Sequence, residues 1–168
     1  MRLKFQFVVM IVFCVSIVFN LLITSEIMAE NIDVAAGEKI QPAINKALAN
    51  GDNIDYIHIA AGTFEEQIII GNFSGQEIHL IGIGPDNTII SLPSGIDGNV
   101  ISADGWGKVF IENMKIMNGT QSGISINNDT YVYLNNCTIS NNSSDIGGGI
   151  YNYGGNLIII NSVIENNN

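Results

Sequence analysis

The sequence predicts an all-β chain wound as a parallel β-helix of about five turns, with one capping α-helix on its N-terminal side. Three observations predict it. The first is a motif written three times: Phe110-Ile111-Glu112-Asn113-Met114-Lys115-Ile116, Tyr133-Leu134-Asn135-Asn136-Cys137-Thr138-Ile139 and Ile158-Ile159-Ile160-Asn161-Ser162-Val163-Ile164. Its central asparagines stand 23 residues apart (113 to 136) and then 25 (136 to 161), a period that marks a solenoid. The second is a succession of short apolar runs with Gly, Asn, Asp or Ser between nearly all of them. The third is the presence of one convincing helical segment ahead of all these runs.

Taken in order, the chain begins with a targeting pattern. Arg2 and Lys4 precede an apolar run from Phe5 to Ile23, broken by Gln6, Ser16 and Asn20, and Thr24–Ala29 offers a processing region. The sequence thus predicts a signal peptide or an uncleaved N-terminal anchor over 1–29, an exported protein, and a β-helix domain over 30–168. Without Arg2, Lys4 and Glu26, the 6 basic and 16 acidic residues become 4 and 15, a net charge of −11 with no arginine. That balance does not suit nucleic acid or anionic lipid, which need basic patches. No membrane contact is expected beyond the N-terminal segment. Cys137 is the one cysteine after residue 29, so packing and backbone ladders must hold the domain.

Residues 40–50 read as the helix. Pro42 suits a first turn, Ile40, Ile44 and Leu48 share a face, and Gly51 is a stop signal. A short amphipathic helix in this place would cover the first apolar layer of a solenoid. Strands are expected at Tyr56–Ala60, Gln67–Ile70, Glu77–Ile81, Thr88–Leu92, Asn99–Ser102, Lys108–Ile111, Gly123–Ile126, Tyr131–Leu134 and Asn156–Ile160. Turns are expected to begin near Ile57, Ile78, Val100, Ile124 and Ile150. Stacked at ~4.8 Å each, they would rise ~24 Å. The interior would hold Ile57, Ile59, Ile78, Leu80, Ile111, Ile116, Leu134, Ile139, Ile159 and Ile164. Asn113, Asn136 and Asn161 are expected at the inner bend of successive turns, in the left-handed conformation, hydrogen-bonded from turn to turn as a structural ladder. The given sequence closes directly after the third motif copy, which predicts an array that continues or an end covered by a partner, with end-to-end self-association as one outcome.

Two stretches resemble known proteins. Ile40-Gln41-Pro42-Ala43-Ile44, Gly51-Asp52, Ile57-His58-Ile59, Gly62-Thr63-Phe64-Glu65-Glu66 and Ile78-His79-Leu80-Ile81-Gly82 resemble the N-terminal half of right-handed parallel β-helix proteins of the pectin lyase-like superfamily. Gly147-Gly148-Gly149-Ile150 and Phe110-Ile111-Glu112-Asn113 resemble the repeats of chlamydial polymorphic outer-membrane proteins. The resemblance implies a right-handed coil in which the aromatic of the Phe-x-x-Asn element packs inward, with Tyr133 in that place in the second copy. For activity it implies little, because the scaffold carries lyases, hydrolases, esterases and adhesins alike.

Candidate chemistry is sparse. The lyases of that superfamily use a catalytic Arg, and the hydrolases and esterases use clustered Asp; this chain has no Arg after residue 29 and no Asp-Asp pair. No catalytic residue is therefore assigned. Glu65 and Glu66 are neighbours that point opposite ways in extended chain and read as structural. His58 and His79, 21 residues apart, are expected at matching strand positions facing solvent, too few to hold a metal. Asp52, Asn53 and Asp55 sketch part of a calcium loop without its later Gly and Glu. No metal site or cofactor is expected beyond loose Ca2+ binding. Trp106, Tyr131, Tyr151 and Tyr153, with Asp104 and Asp129, are the candidate ligand-binding set, an aromatic and acidic face on which sugar rings could stack. The expected role is a non-catalytic surface or secreted module, adhesin-like or glycan-binding, with a polysaccharide or host or cell-surface glycan as partner. The alternatives are a fragment of a polysaccharide-active enzyme and a purely structural passenger segment.

Overall fold

The computed structural model describes residues 29–168; the export segment expected over 1–29 lies, but for Ala29, outside the described residues. The chain coils as a parallel β-solenoid of about five turns. Among the described residues its strands are β1 (Glu30–Val34), β2 (Ile54–Ile59), β3 (Gly62–Glu65), β4 (Ile68–Ile81), β5 (Thr88–Ser91), β6 (Asn99–Glu112), β7 (Lys115–Met117), β8 (Ser122–Asn127), β9 (Tyr131–Asn135), β10 (Thr138–Ser140), β11 (Ile150–Tyr153), β12 (Asn156–Ile160) and β13 (Val163–Glu165), with one helix, α1 (Gln41–Ala49). They build three faces. The first stacks β1, β2, the second halves of β4 and β6, β9 and β12. The second stacks β3, β5, β7, β10 and β13. The third stacks the first halves of β4 and β6, then β8 and β11.

Every cross-strand pairing in these faces is parallel, and like positions stack within each face; the β4–β6 register shifts only at the corner between two faces, from Gly71 to Ser74 and from Ser74 to Glu77. On the first face one inward column runs Ile57, Leu80, Ile111, Leu134, Ile159. The turns between these residues span 23, 31, 23 and 25 positions (57 to 80, 80 to 111, 111 to 134, 134 to 159). This corrects the expected turn starts. Ile57 and Ile78 do not pair; Ile78 stands opposite Asp55. The later expected starts near Val100, Ile124 and Ile150 fall on the third face, where Ile101, Ile124 and Ile150 stack. Alternation in a sequence shows which residues face inward but not which wall of the coil they belong to. Eight of the ten residues expected inside are buried; Ile159 and Ile164, in the last turn described, are 42% and 46% exposed.

The helix lies across the first layer, burying Ala43, Ile44 and Ala47 with Ile40 just before it. Among the described residues, no helix is long and apolar enough to cross a membrane. Ile40, at the N-cap, offers no side-chain acceptor for the helix amides. The acceptor comes from elsewhere in the chain. Glu66 is buried and takes hydrogen bonds from the backbone amides of Ile40 (2.8 Å) and Gln41 (3.1 Å) through its two oxygens. Glu65 points out, and its backbone carbonyl accepts from Lys39 Nζ at 2.6 Å. The Gly-Thr-aromatic-Glu-Glu stretch therefore fastens the cap to the coil.

At the corner between the third and first faces, Phe73 turns inward over Gly105 and Gly107. A Cβ at Gly105 would lie 2.3 Å from the Phe73 ring, and one at Gly107 2.4 Å from the Gln76 carbonyl. Only glycine admits that approach.

Glu66→Ala is expected to lower stability by about 1–3 kcal/mol, because one buried and one part-buried amide lose a charged acceptor. Glu65→Ala should stay within about 0.5 kcal/mol. Urea titration followed by circular dichroism checks both.

Candidate functional site

The coil's corners set where side chains project. Among the described residues eight asparagines hold positive φ, including Asn113 (56°), Asn136 (52°) and Asn161 (49°) at the corner between the first and second faces. This left-handed bend is cheap for Asn and costly for most other residues. It turns each Asn outward and the next residue, Met114 and Cys137, inward. Asn136 Nδ2 donates to Asn113 Oδ1 at 2.9 Å, on the exposed side. The column expected at an inner bend thus lies on the outside of the coil.

A second pair of asparagines occupies the inside. Asn142 is buried; its Oδ1 accepts from Gly119 N at 2.8 Å, and its Nδ2 donates to Ile116 O and to Asn167 Oδ1 at 2.9 Å. Asn167 Nδ2 donates in turn to Ile139 O at 2.9 Å. Sequence reasoning missed this pair. The signal was the doublets Asn141-Asn142 and Asn166-Asn167: the first of each takes the positive φ and the second points in.

An open groove of about 700 Å³ lies beside the third face. Its floor is Ser125 and Tyr151, paired across β8 and β11, and its walls are loops carrying Asp97, Thr120, Gln121, Ser144 and Asp145. These loops are fixed to one another. Thr120 Oγ1 donates to Asp97 Oδ1 at 2.5 Å, and Gly98 N donates to Thr120 Oγ1 at 2.9 Å. Gly123 N donates to Gly148 O at 2.9 Å, and Ser122 Oγ donates to Gly147 O at 2.9 Å. The lining is hydroxyls, amides, two side-chain carboxylates and Ile146 around one phenol, and it includes no His, Lys or Arg.

The six residues of the predicted ligand face are divided. Tyr151 lies in the groove, and Tyr153, 71% exposed, stacks beside it with ring centroids 6.3 Å apart. Trp106, 66% exposed, shares a separate depression of about 440 Å³ with Asp104, whose carboxylate takes a hydrogen bond from Asn128. Asp129 is exposed in the bend beyond β8. Tyr131 is on the first face, opposite Lys108. One strip does not form, since neighbours in strand position fall on different walls.

The structure shows an aromatic column that the sequence reading did not assemble. Tyr56, His79, Phe110 and Tyr133 stack along the outside of the first face with centroids 4.6, 4.2 and 4.4 Å apart. Phe110 and Tyr133, expected inside, stand half-buried here, because Ile111 and Leu134 take the inward positions. His58 and His79 do not match: His58 pairs with Ile81, and His79 with Tyr56 and Phe110. Beside the stack, His79 Nε2 and Lys108 Nζ each reach Glu77 at 3.0 Å. Burial pushes the Glu77 carboxyl up, but these two hydrogen bonds outweigh it and hold it below the ordinary carboxylate range. The same contact raises Lys108.

Comparison with protein-family models, curated proteins and solved structures returns no match to this chain.

Two outcomes follow from the geometry. Asn142→Ala is expected to cost about 1–3 kcal/mol through orphaned buried partners, whereas Asn136→Gly, which keeps the left-handed bend, should cost less than about 1 kcal/mol; denaturant melts separate the two. Cys137 is buried, with its Sγ 3.2 Å from Ile111 O, and burial pushes its thiol up to about 11. In a Cys14→Ser background it should resist Ellman's reagent until urea unfolds the chain.

Proposed function

We propose that the chain is an exported, non-catalytic glycan-binding module on a parallel β-helix, adhesin-like and related in kind to the pectin lyase-like superfamily. The observation that carries this reading is the open groove on the third face. It presents closely spaced hydroxyl, amide and carboxylate groups around the ring of Tyr151, with the exposed Ile146 also lining it and Tyr153 beside it. Sugars offer alternating hydroxyls and an apolar ring face, which such a surface matches by hydrogen bonds and by stacking. Asp97 and Asp145 without a cation in the lining favour neutral or amino sugars over uronates. The enzyme alternative draws on the same two carboxylates and would need its remaining groups from elsewhere.

A glycan array probed with the full chain tests this. Binding to a neutral or amino-sugar glycan is expected, and Tyr151→Ala should weaken it about tenfold, the equivalent of one lost aromatic contact. Absence of any glycan signal, or a signal indifferent to Tyr151→Ala, would sink the binding reading. Ultraviolet-absorbing product from pectate and calcium would move the assignment to the enzyme class.

A further inference from the structure

At the opposite end from the groove, four segments converge on a small polar cluster. β1 brings Glu30, the end of α1 brings Asn50, the following loop brings Asp52, and β2 brings Asp55. One carboxylate oxygen from each of Glu30, Asp52 and Asp55 lies within 4.8 Å of the other two. Oxygens on opposite sides of a calcium ion stand about 4.6–5.2 Å apart, so the three fit around one such ion.

Asp55 is the unusual member. It faces inward and is fully buried, opposite Glu30 on one side and Ile78 on the other. Its Oδ1 accepts from Asn50 Nδ2 at 2.7 Å, while Oδ2 has no hydrogen-bond partner among the described residues. A buried carboxylate oxygen without a partner is costly.

The rest of the cluster is arranged for a cation. Asn50 orients it, donating from Nδ2 to Glu30 Oε2 at 3.1 Å and accepting from Asp52 N at 2.8 Å. Lys46 is paired with Glu30. Three carboxylates share that one ammonium group, which leaves two negative charges, the charge of one divalent ion. They also gather at the C-terminal end of α1, where the helix dipole is itself negative and disfavours anions. All the donors are oxygens, which selects a hard cation over zinc or copper.

We propose that Glu30, Asp52 and Asp55 form a calcium site that ties the capping helix and β1 to the first full turn of the coil. The sequence shows Asp52 and Asp55 but not Glu30, which arrives from 22 residues before Asp52 (30 to 52) only after the cap has folded.

The test is calorimetric titration of the full chain with calcium chloride, together with thermal melts in EDTA and in about 10 mM calcium. One site with Kd of about 10⁻⁴–10⁻³ M is expected, the range of extracellular calcium modules, with a melting temperature roughly 3–10 °C higher in calcium. Asp52→Asn, at a partly exposed position, should weaken binding at least about tenfold and remove the shift. Asp55→Asn should remove it too, while melting in EDTA no lower than wild type, because the buried charge is gone. Asp145→Asn, at the other end of the coil, should leave the shift intact. No calcium-dependent shift in the wild type overturns the proposal. So does a shift that survives both Asp52→Asn and Asp55→Asn, or one that Asp145→Asn reduces equally.

Discussion

Everything in this molecule depends on the parallel, in-register stacking of like positions at the strand repeat of about 4.8 Å. An inward Ile of one turn touches the inward Leu or Ile of the next, as in the column from Ile57 through Leu80, Ile111 and Leu134. Each such side chain is fully buried only because it has a neighbour above and below. The backbone must therefore return to nearly the same path in every turn, and freedom to vary is confined to the corners. That is why the same corner chemistry recurs: a left-handed Asn at 113, 136 and 161, and another at 118, 141 and 166. Where the corner chain must approach another segment closely, glycine appears instead, as under Phe73.

The same constraint decides where a binding surface can form. Turn length can change without disturbing the columns, provided the additional residues leave the coil as loops. The 31-residue interval from Leu80 to Ile111 does so through the segment that carries Asp97, and the stretch between β10 and β11 does so with Asp145. These two loops, with Gln121 between them, wall the groove. The first face has shorter excursions, and its outer surface is occupied by side chains stacked on one another, from Tyr56 to Tyr133. One wall is thus closed by its own aromatics and the other left open between loops.

The legible part of this fold was the part with local signals. Apolar alternation, Gly and Asn punctuation and the helical spacing of Ile40, Ile44 and Leu48 placed the elements and most of the core. Register across turns was not legible, because it is fixed by contacts between residues 23 to 31 positions apart and the intervals are unequal. The errors follow from that: Ile57 matched to Ile78, His58 to His79, and aromatics from three places gathered into one strip. Asn142 was hidden for another reason. A buried polar residue in a run of surface asparagines carries no mark of its own until the carbonyls and amide it serves, Ile116 and Gly119, are brought to it. Of the candidate site, Tyr151 and Tyr153 could be named beforehand, but the loops that make a groove around Tyr151 could not.

The two inward columns of the first face are not equivalent, and the difference locates the weak point of the cap. The column beginning at Ile57 is apolar throughout. The column beside it reads Glu30, Asp55, Ile78, Val109, Val132, Leu157, apolar everywhere except at its first two members, of which Asp55 is the buried one. An aliphatic residue there would extend the stack and add about 1.5–3 kcal/mol of burial, so an acid is the less stable choice unless something compensates its charge. Asn50 compensates one oxygen and the other is left. At its other end, α1 has its amides met by Glu66 from within the coil. The helix is therefore anchored by fixed hydrogen bonds at its N-terminus and rests on concentrated negative charge at its C-terminus, whereas the turns beyond it are joined by apolar columns, parallel ladders and the Asn142–Asn167 pair.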